Sequence, residues 1–129
     1  MEAQEIFDKV AKHLATQARK SLNSSGEECM YLAPDGSKCA LGIFITSDDY
    51  YDVSMEGADV VRLKEDGLLP KHLWDHLPLL DALQTVHDAN EPDSWEYWLR
   101  EVAARWQLSP KVLDTLDWSE CNNYARPTF

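Results

Sequence analysis

Apolar residues recur at helical spacing at the start of the chain. Ile6, Phe7, Val10, Leu14 and Ala18 fall on one side of a 3.6-residue repeat, and basic residues fill the other face and the last turn. Basic residues stabilise the C-terminal end of a helix because they complement its dipole. The pattern therefore predicts a helix over residues 3–22, which the turn formers of "NSSGEE" end.

The stretch "CMYLAPDGSKCALGIFI", residues 29–45, fits two structures. Pro34-Asp35-Gly36 is a strong turn signal, and the flanking residues suit the strands of a short β-hairpin. Alternatively, Ser37 caps a short buried helix over residues 38–46, in which Gly42 permits close backbone approach. The helix is favoured, and the hairpin stays open.

The remainder of the chain predicts a series of short helices. "ADVVRLKEDGLL" predicts about two turns that end at Gly67, and Pro70 and Pro78 each suit the first turn of a further helix. "LSPKVLDTLDW" repeats this logic, with Ser109 as the cap. Residues 121–129 are expected to form an extended tail.

The clearest helical pattern follows "NEPDSW". Asp93 and Glu96 have the spacing of a capping box, and Glu96 with Arg100 and Glu101 with Arg105 form favourable i,i+4 pairs. Its apolar stripe consists of Trp95, Trp98, Leu99, Val102, Ala103 and Trp106, and the helical spacing favours a core role for these tryptophans over base stacking. Together the patterns predict a mostly α, compact single-domain helical bundle over residues 1–129, with a possible short β-hairpin around residues 29–45.

Composition places the chain among globular, intracellular proteins. A chain of 129 residues buries roughly two-thirds of its unfolded surface, which suits one core. No apolar run approaches the length of a membrane span, and the N-terminus lacks the pattern of a signal peptide, so we expect a cytoplasmic location. The three cysteines, Cys29, Cys39 and Cys121, form no CxxC pair and are predicted to be free thiols.

Charge is strongly negative and unevenly distributed. The net charge is −11, and residues 21–61 carry eight acidic residues against Lys38 alone. Nucleic-acid affinity depends on Lys and Arg that neutralise phosphates, so this composition argues against direct binding to nucleic acid or to anionic membranes. It favours a basic protein as the partner.

A cysteine nucleophile is one candidate for chemistry. Cys39, His87 and Asp88 occur in an order compatible with a nucleophile, a base and an orienting carboxylate. However, adjacent residues on a helix point about 100° apart, so Asp88 is expected to orient His87 poorly. The apolar neighbours of Cys39 favour a packing role, and no catalytic residue is assigned.

Metal and cofactor sites are also weakly indicated. His72 and His76 have the i,i+4 spacing of zinc metalloproteases, but the glutamate base of that motif is missing, and Cys29 or His87 would have to supply a third ligand. Asp48, Asp49 and Asp52 do not match the alternating calcium loop of an EF-hand. With no cofactor fingerprint present, we predict neither a metal nor a cofactor.

The most unusual polar feature is the acidic segment, residues 48–59. Carboxylates can occupy the phosphate-binding positions of a nucleic-acid-handling protein, and tyrosines supply anchors for an interface. The alternative is a solvated loop that maintains solubility. The predicted partner-binding residues are Asp48, Asp49, Tyr50, Tyr51, Asp52, Glu56 and Asp59.

Residues 31–57 carry a further pattern, Gly-x-x-Cys-Ala-x-Gly, which continues with an acidic pair, Tyr and Glu-Gly. It resembles a group of small proteins of bacteria, phages and plasmids, and the "LQTVHD" run with Trp95 is also similar. The resemblance implies a mobile-element setting and supplies no catalytic residues. In this sequence the pattern comprises Gly36, Cys39, Ala40, Gly42, Ile45, Asp48, Asp49, Tyr51, Glu56 and Gly57.

These observations lead to one principal functional hypothesis and two alternatives. The principal hypothesis is a non-enzymatic inhibitor of phage or prophage type that binds a basic, nucleic-acid-handling protein of host defence. The alternatives are an immunity protein that neutralises a cognate toxin and a small thiol- or metal-dependent enzyme. The oligomeric state is not indicated by the sequence.

Overall fold

The computed structural model describes residues 1–46 and 51–124, and over those residues the chain is helical. Backbone pairing in the described part is limited to two isolated antiparallel bridges, Leu22 with Cys29 and Leu32 with Lys38. The predicted mostly α fold is confirmed. The α-helices are α1 (Ala3–Gln17), α2 (Gly42–Ile45), α3 (Val60–Glu65), α4 (Leu77–Ala89), α5 (Trp95–Arg105), α6 (Lys111–Asp114) and α7 (Ser119–Asn122), and the 3-10 helices are Val53–Met55, Lys71–His76 and Pro92–Ser94.

The core forms where the apolar faces of α1, α4 and α5 meet. Helix α4 packs against α5 and α1, and α1 also contacts α6. Phe7 and Leu14 of α1, Leu80 and Leu83 of α4, and Leu99 of α5 are each at most 1% exposed. Burial of a side chain of this size contributes about 1.5–3 kcal/mol relative to exposure, so these three helices supply much of the stability of the fold.

Helix α1 ends five residues before its predicted end. Ala18 adopts a left-handed conformation with φ 55° and closes the helix through its N–H, which donates to the Leu14 carbonyl. Three residues later, the backbone N–H of Ser21 donates to the buried His87 ring on α4, at 3.0 Å. A helix continued to residue 22 would direct that N–H into the helix itself, so the contact with His87 favours the early end.

Side chains of the helices hold the irregular segment 18–41 in place. The Gln17 carboxamide accepts a hydrogen bond from the Lys38 N–H and donates to the Lys38 carbonyl, both at 2.8 Å. Ser21 donates through its hydroxyl to the Ser37 carbonyl, and Gln84 of α4 accepts from the Leu41 N–H. These bonds satisfy backbone groups that a sheet would otherwise pair.

The ambiguous region 29–45 combines parts of both predicted structures. A tight turn at Pro34-Asp35-Gly36 brings Leu32 opposite Lys38, whereas helix formation is confined to Gly42–Ile45. The predicted cap at Ser37 is wrong, because its N–H donates to the Asp35 carboxylate within the turn. Gly42 lies against the Tyr31 carbonyl, and a Cβ atom at this position would be 2.1 Å from that oxygen.

Helix α5 confirms one sequence prediction and corrects two. Glu96 and Arg100 form the expected ion pair at 2.8 Å. The predicted capping box of Asp93 and Glu96 is wrong, because a 3-10 turn over Pro92–Ser94 leads into the helix and Ser94 occupies the cap position without a side-chain bond. Trp95 is fully buried, but Trp98 is 41% exposed, so the tryptophan stripe is only partly core.

The described C-terminal part returns to the core. Trp118 and Cys121 are buried, and Cys121 lies in α7, so the extended conformation expected from residue 121 does not begin there. Residues 125–129 of the expected tail lie outside the described residues. In the part of the chain that the structure describes, no helix has the length and apolar composition needed to cross a membrane.

Candidate functional site

An acidic cleft lies between α4, the loop that carries Cys29 and Tyr31, and the segment that leads into α3. Its volume is about 440 Å³. Every charged residue that lines it is acidic, and Lys and Arg are absent from its described lining. We call this feature the acidic cleft, and its polar lining comprises Cys29, Tyr31, Glu56, Asp59, Asp81, Gln84, Thr85 and Asp88.

Helix α4 supplies one wall of the cleft through a polar stripe. Asp81, Gln84, Thr85 and Asp88 follow i, i+3, i+4 and i+7 spacing, so they share one face of the helix. The opposite face carries Leu79, Leu80 and Leu83 into the core. The amphipathic pattern that buries α4 therefore also directs two carboxylates into the cleft.

Asp88 is a carboxylate of the cleft that two side chains of α4 hold in place. Its Oδ1 atom lies 2.6 Å from Nδ1 of His87, and the Gln84 amide donates to both carboxylate oxygens at 3.1 Å. The expectation that Asp88 could not orient its neighbour is wrong, since the side chains of these adjacent residues meet at the end of α4. Asp88 is thus held in one orientation at the cleft wall.

The hydrogen bonds of His87 define its tautomer. Nε2 accepts from the Ser21 backbone N–H, so the proton of the neutral ring is on Nδ1 and is donated to Asp88. The ring is fully buried and stacks on Trp95, with centroids 5.5 Å apart. Both nitrogens are therefore engaged in holding the fold together, and neither is free to accept a proton from a substrate.

Cys29, and not Cys39, is the cysteine that lies beside this pair. Ligand atoms of Cys29, His87 and Asp88 lie within 4.8 Å of one another. Partial burial and the neighbouring Asp88 carboxylate raise the pKa of the Cys29 thiol to about 12. Asp88 therefore favours the protonated thiol over a thiolate, which is the opposite of what a cysteine nucleophile needs.

The same hydrogen bonds disfavour a metal at this cluster. A metal on Nδ1 of His87 would displace the proton from that atom and leave a neutral ring protonated on Nε2. The protonated Nε2 would then lie 3.0 Å from the Ser21 nitrogen, so two N–H donors would face each other with no acceptor between them. The donor set fits the hydrogen-bonded form better than a metal centre.

Cys39 and the two histidines of "HLWDH" lie apart from the cleft. Cys39 is fully buried, and burial raises the pKa of its thiol to about 12, as expected for a packing residue. His72 is exposed, whereas His76 contacts the Met1 carbonyl. Both lie in a 3-10 helix, in which residues four apart do not share a face, so the i,i+4 zinc geometry is not formed.

Glu56 joins the acidic segment to the loop at Tyr31. Its carboxylate accepts from the backbone N–H groups of Tyr31 and Leu32, at 2.8 and 3.1 Å, and from the Tyr51 hydroxyl at 2.6 Å. Tyr31 in turn donates through its hydroxyl to the Ala58 carbonyl. Glu56 thus has a structural role, and its interaction role stays a prediction.

The predicted interaction residues differ in what they contact. Asp52 and Asp59 are exposed helix caps that accept from Ser54 N–H and Arg62 N–H. Of the predicted set, Glu56 and Asp59 line the cleft, whereas Tyr51 and Asp52 do not. Asp48, Asp49 and Tyr50 lie outside the described residues.

Sequence reasoning missed the half of the cleft that comes from Cys29, Tyr31 and α4. A signal was present in the helical spacing of Asp81, Gln84 and Asp88, but it was overlooked beside the denser run of acidic residues at 48–59. Nothing in the sequence indicated that residues more than 20 positions apart would line one cleft.

Comparisons with protein-family models, with curated proteins and with solved structures gave no significant match. The chemistry of the acidic cleft is therefore the strongest available guide to function.

Proposed function

We propose that this protein is a non-enzymatic binding protein that recognises a basic protein through the acidic cleft and the acidic segment. One observation carries the proposal: the four charged residues that line the cleft, Glu56, Asp59, Asp81 and Asp88, are all carboxylates. Such a cleft attracts a Lys or Arg side chain and repels phosphates. The predicted thiol or metal enzyme gains no support from the cleft, because the Cys29 thiol has a raised pKa and both ring nitrogens of His87 are engaged in hydrogen bonds.

Preorganisation supports recognition of a protein side chain. Asp88 is held by Gln84 and His87, and Glu56 is held by three donors, so neither carboxylate has to be ordered when a ligand arrives. A volume of about 440 Å³ accommodates a long cationic side chain. The cleft is therefore suited to a guanidinium or ammonium group presented by a folded partner.

The charge of the partner suggests the consequence of binding. Proteins that handle nucleic acids present Lys and Arg to phosphates, and a carboxylate surface that occupies those side chains excludes the nucleic acid. With a net charge of −11, this chain would associate rapidly with such a surface at low salt. We therefore propose a cytoplasmic inhibitor of phage or mobile-element type, directed at a basic host-defence protein.

Salt-dependent capture with charge variants tests the proposal. The partner is first purified from the native host extract on the immobilised protein at low salt. Its affinity is then measured for the wild type and for two multiple variants. One is the cleft pair, Asp59→Asn and Asp81→Asn, and the other is the acidic-segment triple, Asp48→Asn, Asp49→Asn and Asp52→Asn. Asparagine retains the capping ability of Asp52 and Asp59, so these variants should fold normally. Each set should weaken binding by about tenfold or more and reduce its salt dependence.

The matched control is Asp75→Asn with Asp93→Asn, two exposed carboxylates that do not line the cleft. It makes the same change in net charge as the cleft pair, so it separates local recognition from general attraction. Equal binding by the cleft pair, the acidic-segment triple and the wild type would contradict the proposal. Inhibition is tested separately, by competition between this protein and DNA or RNA for the captured partner.

A further inference from the structure

A second concavity lies between α4 and α5, on the other side of the exposed ridge of α4. Its volume is about 550 Å³, and it is lined mainly by apolar side chains. We call it the α4–α5 groove. Val86 of α4, Trp98 and Val102 of α5, and Trp106 after α5 form its apolar lining, with Glu101 and Arg105 among its charged residues.

Two tryptophans make this groove different from an ordinary surface depression. Trp98 is 41% exposed, and Trp106 is partly buried with the Arg105 guanidinium 5.8 Å from the centre of its ring. Exposed Trp and Arg are the side chains that most often dominate binding energy at protein interfaces. A groove with two tryptophans is therefore suited to an apolar side chain from another polypeptide.

The groove and the acidic cleft are adjacent. Asp81, Thr85 and Ala89 line both features, and their i, i+4 and i+8 spacing makes them one ridge along α4. All three residues are exposed. A ligand that crosses this ridge reaches tryptophans on one side and carboxylates on the other.

We propose that the α4–α5 groove and the acidic cleft together bind one polypeptide segment of a basic partner, which places an apolar side chain in the groove and a Lys or Arg side chain in the cleft. The inference rests on the proposed function and adds the chemistry of the recognised segment. Charge complementarity identifies the occupant as a basic protein, because two copies of a chain with a net charge of −11 repel each other, as would an anionic membrane.

A peptide probe tests this arrangement without knowledge of the natural partner. The probe is a fluorescein-labelled amphipathic peptide with leucine on one face and arginine along its edge, and its binding to the full chain is measured by fluorescence anisotropy. Trp98→Ala and Thr85→Arg should each weaken binding by about tenfold, the first by removing a groove wall and the second by placing a positive charge on the shared ridge. Peptides with serine in place of leucine, or glutamine in place of arginine, should bind less tightly to the wild type.

Two control variants are available within the chain. Tyr97→Ala removes an even more exposed aromatic that packs edge-on against Trp98 but does not line the groove. Thr115→Arg makes the same change as Thr85→Arg at another exposed threonine that lines neither feature. Both controls should bind the probe within about twofold of the wild type.

Three outcomes would overturn the inference: no binding of the leucine–arginine peptide to the wild type, equal binding by Trp98→Ala and Tyr97→Ala, or equal binding of the serine and leucine peptides. If the natural partner nevertheless responds to Asp59→Asn with Asp81→Asn, only the groove is excluded. If these cleft variants also have no effect on the partner, the proposed function fails as well.

Discussion

At the scale of single residues, two histidines are used as parts of the fold. His87 accepts from Ser21 and contacts Asp88, so its ring joins the segment after α1 to the end of α4. His13 interacts electrostatically with His87. Its Nε2 atom lies 2.7 Å from the Lys38 carbonyl, so in the neutral ring Nε2 carries the proton and donates to that oxygen. Both residues therefore fasten the irregular segment 18–41 to helices, although the sequence had made His87 a candidate for a catalytic base.

His13 should make the stability of the protein depend on pH. Burial, followed by electrostatic interactions with His87 and Lys38, lowers the pKa of His13 from 6.5 in spite of its bond to the Lys38 carbonyl. The unfolded state then binds more protons than the folded state between the lowered folded pKa and 6.5, so stability rises with pH over this range and is lost as pH falls through the folded pKa. His13→Gln keeps a donor for the Lys38 carbonyl. This variant should show a weaker dependence of the free energy of unfolding on pH between about pH 7 and pH 5, measured by urea denaturation.

The exposed His72 supplies the control, because His72→Gln should leave the wild-type slope in place. Two hydrogen-bonded carboxylates, Asp52 and Asp117, titrate outside this pH range. Hydrogen bonds from the Ser54 backbone and side chain lower the pKa of Asp52, and hydrogen bonds from Ser119 lower that of Asp117, so both carboxylates titrate below 3.8. An unchanged slope in His13→Gln would show that His13 is not the source of the dependence.

At the scale of elements, α2 and the Tyr31 loop approach each other closely at Gly42. The Glu56 carboxylate binds the N–H of Tyr31, and the absence of a side chain at Gly42 lets α2 contact the Tyr31 carbonyl. Gly42 is buried and has no positive φ, so its requirement for glycine is purely steric. The wall of the acidic cleft that carries Tyr31 depends on this contact.

Two glycine substitutions separate steric from conformational cost. Gly42→Ala would place Cβ 2.1 Å from the Tyr31 carbonyl and should lower the free energy of unfolding by about 3 kcal/mol. Gly67→Ala, at the end of α3, has φ 74° and no atom within 4 Å of its Cβ, so it should cost about 1 kcal/mol. Chemical denaturation of both variants measures the difference, and equal losses would refute the close contact.

Elements with a strong apolar period could be predicted from the sequence, whereas those that depend on distant partners could not. Helices α1, α4 and α5 follow their stripes, and Gly67 ends α3 as its conformational freedom suggests. By contrast, α1 ends at an alanine, the best helix former, because Ser21 bonds to His87 on α4. Residues 38–41 likewise leave the helical conformation where Gln17 and Gln84 bind their backbone.

At the scale of the whole molecule, the candidate site is a tertiary feature. Residues 21–61 hold most of the net charge, and Glu56 and Asp59 of this region line the acidic cleft. Asp81 and Asp88 join them only because α4 packs beside the segment that leads into α3. Exposure of Trp98 also depends on packing, since the same helical stripe buries Trp95 completely.

The net charge of −11 leads to a final prediction, in which salt acts in opposite directions on folding and on binding. An increase in ionic strength from about 0.01 M to about 0.1 M shortens the Debye length from about 30 Å to about 10 Å. The weaker self-repulsion should stabilise the folded chain by about 1 kcal/mol, a rise of roughly 4 °C in Tm for a domain of this size. The same increase should weaken binding to a basic partner, because it screens the attraction between the two proteins.

Thermal melts in sodium chloride and in choline chloride should agree, since screening does not depend on the cation, whereas a stabilisation found only with sodium would point to bound cations instead. A Tm that falls with added salt would mean that attractive ion pairs such as Arg100 with Glu96 and Asp114 outweigh the repulsion among the carboxylates.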